Sequence, residues 1–302
     1  MMNEFIKEVK KLNIGRLEKD ISIKKLTTYK VGGVASVLIY PKNERKLVLL
    51  LKLIKQYNLP YKIIGNGSNL IFSDKAYEGV LIKLTELNQI EIFENKIRVG
   101  AGYSLMKLSR VALKHSLTGL EFAAGIPATV GGAIFMNAGA YKSDMGYIVQ
   151  SIRVLTPDFK IIELENRELN FHYRTSFLKT HRDYICLEAL IKLKRGDKIL
   201  IDRVMRERLQ RRIESQPLNY PSAGSVFRNP KDQFSGELIE KAGLKGFQIG
   251  GAMVSDKHAN FIINKGNATA QDVKDVIFYT KEKVKEKYDV DLLFEQEFVN
   301  WE

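Results

Sequence analysis

Cysteine is nearly absent from this sequence, which has one, Cys186, in 302 residues. A single cysteine cannot form a disulfide within the chain. Its place inside the apolar run YICLEALIKL predicts a buried thiol that packs as a small apolar group. The disulfide-stabilised scaffolds of small secreted domains are therefore excluded, and a cytoplasmic location is favoured.

Long apolar runs and targeting signals are also missing. No stretch approaches about 18 consecutive apolar residues, so we expect no transmembrane helix and no membrane partner. The strongest candidate, KLVLLLKLIKQY from Lys46, is interrupted by Lys52 and Lys55 and is typical of an amphipathic helix. The start, MMNEFIKEVKKLN, lacks the apolar region and the cleavage site of a signal peptide. These absences again indicate a cytoplasmic protein.

Metal-ligand spacing is absent as well. The four histidines are His115, His172, His181 and His258, and neither they nor Cys186 follow a zinc-site pattern. We therefore expect no metal, and structural or surface roles for these side chains.

Positive charge is present in excess, with a formal net charge of +13. The densest block is RVMRERLQRRIE, which predicts a solvated helix with one apolar face made of Val204, Met205, Leu209 and Ile213. A basic nucleic-acid-binding protein is one hypothesis for such a charge. Zinc-finger spacing, aromatic RNA-binding motifs and heptads are all absent, so we expect no nucleic acid partner. Acidic small molecules are the alternative.

Helical and strand patterns occur both in alternation and in consecutive runs, which predicts an α+β class with mixed sheets. The predicted helices cover 44–57, 104–116, 195–215 and a long segment capped by Thr269. The predicted strands are 61–64, 79–84, a hairpin turning at 94–96, 151–157, 160–165, 184–193, 260–264 and 290–299. The length suggests two or three domains. Boundaries near residue 75 and within 195–215 give predicted domains of 1–75, 76–200 and 201–302.

A first glycine-rich turn, GNGSN, lies between the apolar segments KII and LIF. Its backbone N–H groups could converge on an anion, with Ser68 and Asn69 adding side-chain donors. A tight connection between two strands is the alternative. The turn is not a dinucleotide-binding fingerprint, because Leu70 occupies the third glycine position and no helical pattern follows at once.

A second glycine-rich stretch, GIPATVGGAIFMNAGAY, begins at Gly125. Its other residues are mostly small or apolar, which would let the backbone approach a flat ligand or a diphosphate closely. A glycine-rich crossing of the core is the alternative. Two such segments, roughly sixty residues apart, favour a phosphate-bearing cofactor.

A polar turn near residue 220, NYPSAGSVFRNP, has Pro221 and Pro230 on either side. Proline at both ends excludes a long helix and leaves a turn or a short extended piece. It is either an ordinary surface loop or a device that holds one hydroxyl in place, and Ser222 and Ser225 are the two candidates.

These segments, taken together and in order, resemble the family of UDP-N-acetylenolpyruvoylglucosamine reductases (MurB) of peptidoglycan synthesis. The resemblance covers residues 27–298, and within the family the chain is similar to the shorter branch. Its motifs are TTYKVGG, GNGSNLIFSD, GIPATVGGAIFMNAGAY, YRTSFLK, YPSAGSVFRNP and GLKGFQIGGAMVSDKHANFIIN.

The resemblance implies a flavoenzyme with a two-part FAD-binding region of the vanillyl-alcohol-oxidase type and a C-terminal α+β substrate-binding domain. NADPH would reduce the FAD, and the enolpyruvyl ether of UDP-N-acetylglucosamine would then receive a hydride and a proton. The implied FAD-binding residues are Gly65, Asn66, Gly67, Ser68, Asn69, Gly125, Ile126, Pro127, Thr129, Gly131, Gly132, Asn137 and Gly139.

The resemblance also implies which residues act on the substrate. Arg174 would stabilise the carboxylate on which negative charge builds, since a guanidinium matches carboxylate geometry. Ser225 would donate the proton, and Ser222 is the rival hydroxyl. Tyr173, Arg228 and Asn229 would bind the substrate; we expect the protein to act as a monomer.

A third catalytic group is expected near the end of the chain, where the family has a glutamate after Gly-Val-x-Leu-x-x. Here the segment KYDVDLLFEQEFVNWE has Asp289 in place of the glycine, and two glutamates compete. An ungapped match favours Glu295, whereas a shift by two residues would select Glu297. Residues two apart in a strand share a face, so periodicity cannot decide between them.

A different flavin oxidoreductase on the same scaffold is the nearest rival function. The motif YPSAGSVFRNP argues against it, because that motif lies in the part of the family that binds the substrate.

Overall fold

The computed structural model describes residues 1–301 of the chain. They form two compact units, each assembled from segments far apart in sequence. Unit 1 consists of Met1–Glu18, Val37–Gly65 and Gly79–Gln210; unit 2 consists of Lys19–Ser36, Asn66–Glu78 and the chain from Arg211 onward. The predicted α+β class is confirmed. The division into domains 1–75, 76–200 and 201–302 stays a prediction.

The elements of residues 1–301 are numbered in chain order. The α-helices are α1 (Met2–Lys11), α2 (Glu44–Gln56), α3 (Leu105–Lys114), α4 (Val130–Phe135), α5 (Phe177–Thr180), α6 (Lys198–Ser215), α7 (Ser235–Lys241) and α8 (Ala270–Tyr288). The strands are β1 (Gly15–Ser22), β2 (Val34–Pro41), β3 (Tyr61–Ile64), β4 (Leu70–Phe72), β5 (Tyr77–Lys83), β6 (Ile90–Phe93), β7 (Lys96–Gly100), β8 (Leu117–Thr118), β9 (Gly139–Ala140), β10 (Ser143–Asp144), β11 (Val149–Leu155), β12 (Ile161–Glu165), β13 (Ile185–Lys192), β14 (Lys194–Arg195), β15 (Gln248–Ile249), β16 (Ala252–Val254), β17 (Ile262–Asn264) and β18 (Glu297–Val299). Within these residues, no helix has both the length and the apolar character needed to cross a membrane.

An antiparallel sheet of unit 1 carries the larger of its two cores. Its strand order is β12-β11-β13-β7-β6, and the predicted hairpin is confirmed as β6 and β7. Apolar side chains of this sheet, of α3 and of α4 pack together, among them Val99, Leu108 and Ile134. Cys186 lies in the same core, and burial raises its pKa to about 12. The predicted buried thiol is confirmed and stays protonated at neutral pH.

The second core of unit 1 lies between α1, α2 and the strands β3 and β5, which run parallel. Helix α2 begins one residue after Asn43, whose side chain accepts a hydrogen bond from the N–H of Lys46 at 3.0 Å. Such a cap satisfies one of the N–H groups that a helix leaves unpaired at its start. Leu47 and Leu50 are fully buried, so the predicted amphipathic helix is confirmed.

Unit 2 is built around helix α8, which packs on the three-stranded antiparallel sheet β15-β16-β17. The predicted cap is confirmed: Thr269 and Asp272 exchange hydrogen bonds across the first turn. The carboxylate of Asp74 also accepts from the N–H groups of Ala270 and Gln271, at 3.0 and 3.1 Å. Strand β18 pairs parallel with β4, with Phe298 opposite Ile71.

The basic helix α6 differs in part from its prediction. It is a largely solvated helix, as expected, but its buried apolar residues are Ile201 and Met205. Leu209 and Ile213, which were predicted on the apolar face, are exposed. The burial is limited to the first half of the helix, so the prediction of one continuous apolar face was wrong.

The predicted strand over 290–299 forms only in its last part, as β18. The N–H of Arg228 donates to the carbonyl of Leu293 at 2.9 Å, and the N–H of Glu295 donates to the carbonyl of Val226 at 2.8 Å. The backbone groups of Leu293 and Glu295, which precede β18, therefore form hydrogen bonds with the segment near residue 226. This pairing brings two sequence-predicted regions of unit 2 together.

Candidate active site

The GNGSN turn connects β3 to β4, so a strand follows it, as expected from the missing helical pattern. Gly67 has a φ of 63°, and a Cβ atom there would lie 2.2 Å from the carbonyl oxygen of Leu26. A Cβ atom on Gly65 would lie 2.6 Å from Oγ1 of Thr129. Glycine is therefore required at position 67 by the path of the backbone, and at position 65 by the close approach of the Thr129 side chain.

The second glycine-rich stretch contains the short helix α4, which starts after Thr129. The side chain of Thr129 accepts a hydrogen bond from the N–H of Gly132 at 3.3 Å. Gly131 donates its N–H to the carbonyl of Ala101 at 2.8 Å, and a Cβ atom on it would lie 3.0 Å from Cβ of Ala101. Gly131 therefore lets this helix approach the segment after β7 closely.

Arg174 lies in a tight two-residue turn of unit 1. His172 and Thr175 exchange two backbone hydrogen bonds of 3.0 Å, and Arg174 between them has a φ of 54°. A left-handed backbone costs a residue other than glycine about 1–2 kcal/mol. Such strain is often found where function fixes a side chain. Nη2 of Arg174 donates to the carbonyl of Gly139 at 3.1 Å, and Tyr173 beside it is 51% exposed.

Asn137 holds the turn that carries Arg174 through side-chain hydrogen bonds. Its side chain is 2% exposed; Nδ2 donates to the carbonyl of His172 at 3.0 Å, and Oδ1 accepts from the N–H of Gly146 at 2.9 Å. Asn137 was predicted as a residue that binds the cofactor. Within unit 1, its amide holds the turn that carries Arg174.

The Ser225 turn, residues 221–230 of unit 2, contains no helix, as the two prolines predicted. Gly224 has a φ of 75°, which sets the direction of the chain into Ser225. The residues after Ser225 are held by Asn260: its carbonyl accepts from the N–H of Val226 at 2.9 Å. Its side chain accepts from the N–H of Phe227 at 3.0 Å and donates to the carbonyl of Phe227 at 2.8 Å.

Glu295 and Glu297 have different backbone partners in unit 2. The N–H of Glu295 donates to the carbonyl of Val226, directly after Ser225, and its own carbonyl accepts from Nδ2 of Asn69 at 3.1 Å. Glu297 begins β18, and its N–H donates to the carbonyl of Asn69 at 2.9 Å. The structure therefore brings Glu295, rather than Glu297, into register with the Ser225 turn.

The other predicted substrate residues of unit 2 also lie in the Ser225 turn. Asn229 is exposed, and its Oδ1 accepts from the N–H of Ser235 at 3.1 Å. Arg228 is half-buried, and its Nε is buried with no hydrogen-bond partner in residues 1–301. A buried guanidinium N–H left unpaired is costly, because it has lost its hydrogen bonds to water.

Two positions that hold the Ser225 turn were missed by the sequence analysis, Asn260 and Gln296. Asn260 is a polar residue next to the apolar run FII, and that contrast was the signal available; Gln296 lies between two glutamates and gave no such signal. Burial lowers the pKa of His258, so this imidazole is neutral at pH 7. No group of three or more histidine, cysteine, aspartate or glutamate side chains in the described part of the chain could hold a metal ion.

Comparisons with known families match two parts of the chain. Residues 216–299 match the family described as "UDP-N-acetylenolpyruvoylglucosamine reductase, C-terminal domain". Residues 35–165 match the family described as "FAD binding domain", and this part contains both glycine-rich segments.

Relatives along the whole chain agree with these matches. A "UDP-N-acetylenolpyruvoylglucosamine reductase 1" of Bacillus cereus is 46% identical over 99% of both chains. A reductase of the same name, without the number, from Caldanaerobacter subterraneus is 47% identical over 97% of this chain and 96% of its own. The crystal structure of UDP-N-acetylenolpyruvylglucosamine reductase from Thermus caldophilus superimposes with a TM-score of 0.80 at 36% identity, covering 94% of this chain and 98% of that one.

Proposed function

This chain belongs to the UDP-N-acetylenolpyruvoylglucosamine reductase family, and from that premise we propose how its residues divide the work of the reaction. It reduces the enolpyruvyl ether of UDP-N-acetylglucosamine to UDP-N-acetylmuramate with NADPH, as an FAD-dependent step of peptidoglycan synthesis. FAD, when bound, supplies the hydride for the terminal carbon of the vinyl group. The chain's own side chains must bind the carboxylate and supply a proton to the carbon that bears it.

The residues of the two glycine-rich segments fit FAD by their chemistry. Neither segment contains an aspartate or a glutamate, and their polar groups are neutral amides, hydroxyls and backbone N–H groups. Such donors suit a diphosphate, which an acidic side chain would repel. We therefore keep the predicted residues as the FAD-binding set: Gly65, Asn66, Gly67, Ser68, Asn69, Gly125, Ile126, Pro127, Thr129, Gly131, Gly132, Asn137 and Gly139.

The purified protein should be yellow and contain one FAD per chain that is released when the protein is denatured. Neither glycine-rich segment contains a cysteine or a histidine, so neither offers a covalent link to the flavin. Absorption spectra before and after denaturation and filtration measure both properties. NADPH should bleach the colour, and the enol ether should restore it. A colourless protein that binds no added FAD in a titration contradicts the assignment.

Ser225 is proposed as the proton donor, and one observation supports this choice above the others. The N–H of Glu295 is hydrogen-bonded to the carbonyl of Val226, the residue directly after Ser225. The hydroxyl of Ser225 and the carboxylate of Glu295 therefore belong to two backbone segments that pair with each other. An enolate carbon is strongly basic, and a positioned hydroxyl is acidic enough to protonate it. Oγ of Ser225 gives its proton to the carbon that bears the carboxylate and recovers one from solvent. Ser222 is assigned a structural role in the same turn.

Arg174 is proposed to bind the substrate carboxylate. Negative charge moves onto that carboxylate as the hydride is added, and a guanidinium donates two parallel hydrogen bonds to it. The strained turn between His172 and Thr175 fixes the position of the Arg174 backbone, from which the guanidinium side chain extends. Tyr173, Arg228 and Asn229 are proposed as further contacts to the anionic substrate.

Glu295 is proposed to orient the proton donor and the substrate around the developing enolate. Glu295→Gln should therefore slow re-oxidation of the flavin by the enol ether by at least about a hundred-fold, and Glu297→Gln by only a few-fold. Reduction by NADPH should be intact in both variants. Stopped-flow absorbance of each half-reaction measures the two rate constants separately.

The two glutamine variants are a matched pair, since both change one half-buried carboxylate in the same segment. The reverse ranking would move the assignment to Glu297. Two mild variants would remove this segment from the mechanism.

A cytoplasmic location and a monomeric state are proposed as well. Cys186 is buried and protonated, so it offers no intermolecular disulfide. Light scattering of the purified holoenzyme and fractionation of cells test the two proposals.

A further inference from the structure

Gln296 is buried between the two glutamates of the Glu295 segment. Its side chain is 4% exposed, and Nε2 donates to the carbonyls of Ala223 and Gly224, both at 3.1 Å. These are the two carbonyls that directly precede Ser225. A buried amide that donates twice to one turn has a positional effect that an apolar side chain of the same size would lack.

The Gln296 amide also lies beside the hydroxyl of Tyr29. The Tyr29 ring is fully buried, burial raises the pKa of its hydroxyl, and the neighbouring Gln296 amide partly offsets that rise. The hydroxyl therefore remains a neutral donor. Neither it nor Oε1 of Gln296 has a hydrogen bond of good geometry within residues 1–301. Buried polar groups of this kind are stabilised when they are paired, directly or through one water.

The Ser225 turn includes one glycine, Gly224, at which no side chain can pack, so hydrogen bonds to its carbonyl help to fix its position. A Cβ atom built on Gly224 would meet no atom within 4 Å, and the residue has a φ of 75°. On the far side of Ser225, Asn260 fixes Val226 and Phe227. On the near side, Nε2 of Gln296 is what holds the carbonyls of Ala223 and Gly224. The backbone on both sides of Ser225 is thus held by a buried side-chain amide, that of Gln296 before it and that of Asn260 after it.

We propose that Gln296 is a positioning residue for the proton donor, and that the neighbouring Tyr29 hydroxyl helps to hold its amide. With the amide rotated by 180°, Oε1 would face two carbonyl oxygens and repel them. The Tyr29 hydroxyl is a polar neighbour that restricts rotation of the amide, and a phenylalanine would remove it. The inference rests on the proposed role of Ser225, because it concerns the geometry with which that hydroxyl reaches the substrate.

Gln296→Met tests the inference, since methionine keeps the length of the side chain and removes both donors. The rate constant for flavin re-oxidation by the enol ether should fall about ten- to a hundred-fold, as expected for a misplaced reacting group. Its solvent isotope effect should rise, because proton delivery becomes slower relative to the other steps. The rate constant for reduction by NADPH should not change.

A second readout needs no flavin chemistry. In the substrate-free holoenzyme, amide hydrogen exchange at Val226, whose N–H donates to the carbonyl of Asn260, should be faster in Gln296→Met than in the parent. Gln248→Met is the matched control: this exposed glutamine also donates to a backbone carbonyl, that of Gly250, and lies in unit 2. All four measurements (re-oxidation, its solvent isotope effect, reduction by NADPH and amide exchange) should be unchanged in the control.

Tyr29→Phe provides the test if Gln296→Met does not fold, since it removes one oxygen atom only. It should slow re-oxidation a few-fold with the same rise in the isotope effect. First-order rate constants do not depend on the fraction of folded enzyme, so lower thermal stability alone cannot imitate this result. Unchanged re-oxidation and isotope effect in the variants that fold would overturn the inference.

Ser225→Ala, measured alongside, separates this inference from the proposed function. If Ser225→Ala slows re-oxidation and Gln296→Met does not, only the positioning role fails. If Ser225→Ala itself leaves re-oxidation unchanged, the proposed role of Ser225 fails, and the role of Gln296 fails with it.

Discussion

Ser225→Ala should slow re-oxidation of the flavin by the enol ether about a hundred- to ten-thousand-fold, the usual range for loss of a general acid or base. Reduction of the flavin by NADPH needs no proton from this hydroxyl and should keep its rate. Alanine removes one oxygen atom from a half-buried position and leaves the backbone hydrogen bonds of Val226 in place. Stopped-flow absorbance of the two half-reactions, each in single turnover, measures the effect.

Ser222→Ala is the matched control, because it removes the same atom from the same Pro-flanked turn. It should change re-oxidation by no more than a few-fold. Equal slowing of both half-reactions in Ser225→Ala would indicate a role in FAD binding or folding instead. A strong effect of Ser222→Ala alone would transfer the proton donor to that residue.

Arg174→Lys should lower turnover of the enol ether about a hundred- to a thousand-fold although it keeps the positive charge. That is the range for removal of one donor that stabilises developing negative charge. Lysine cannot make the planar two-point contact of a guanidinium with a carboxylate. Neither residue is a glycine, so the backbone strain at a φ of 54° is similar in both. Flavin reduction by NADPH should change little.

Arg167→Lys is a suitable control for Arg174→Lys. Arg167 is an exposed arginine of unit 1 that pairs with Glu165, so its replacement should leave both half-reactions unchanged. Steady-state turnover, together with the rate of flavin re-oxidation, distinguishes the variants. An Arg174→Lys enzyme that turns over like the parent would exclude this residue as the group that binds the carboxylate.

Local features of the site were predictable from the sequence because short-range rules determine them. The strand Tyr61–Ile64 and the glycine turn after it follow from an apolar run that ends at Gly65. The cap at Thr269 follows from an acidic residue three positions later. The turn around Ser225 follows from its two prolines.

What the sequence did not predict depends on contacts between distant segments. The apolar pattern of 290–299 is compatible with one long strand, but its first part pairs with the Ser225 turn. Nothing near Gln296 in sequence indicates that its amide donates to Ala223. Nor does the pattern around Asp74 indicate that its carboxylate caps α8, whose first residue is Ala270.

The pairing of β4 with β18 also constrains how unit 2 is made in the cell. Strand β4 ends at Phe72 and β18 at Val299, so the ribosome adds roughly 230 residues between them, which takes about ten to fifty seconds at typical rates of translation. During that interval the apolar strand Leu70–Phe72 has left the ribosome without its native neighbour. Unpaired strand edges are sites of aggregation, so the native pairing of this edge, and its protection by β18, must wait until residues 297–299 have been made.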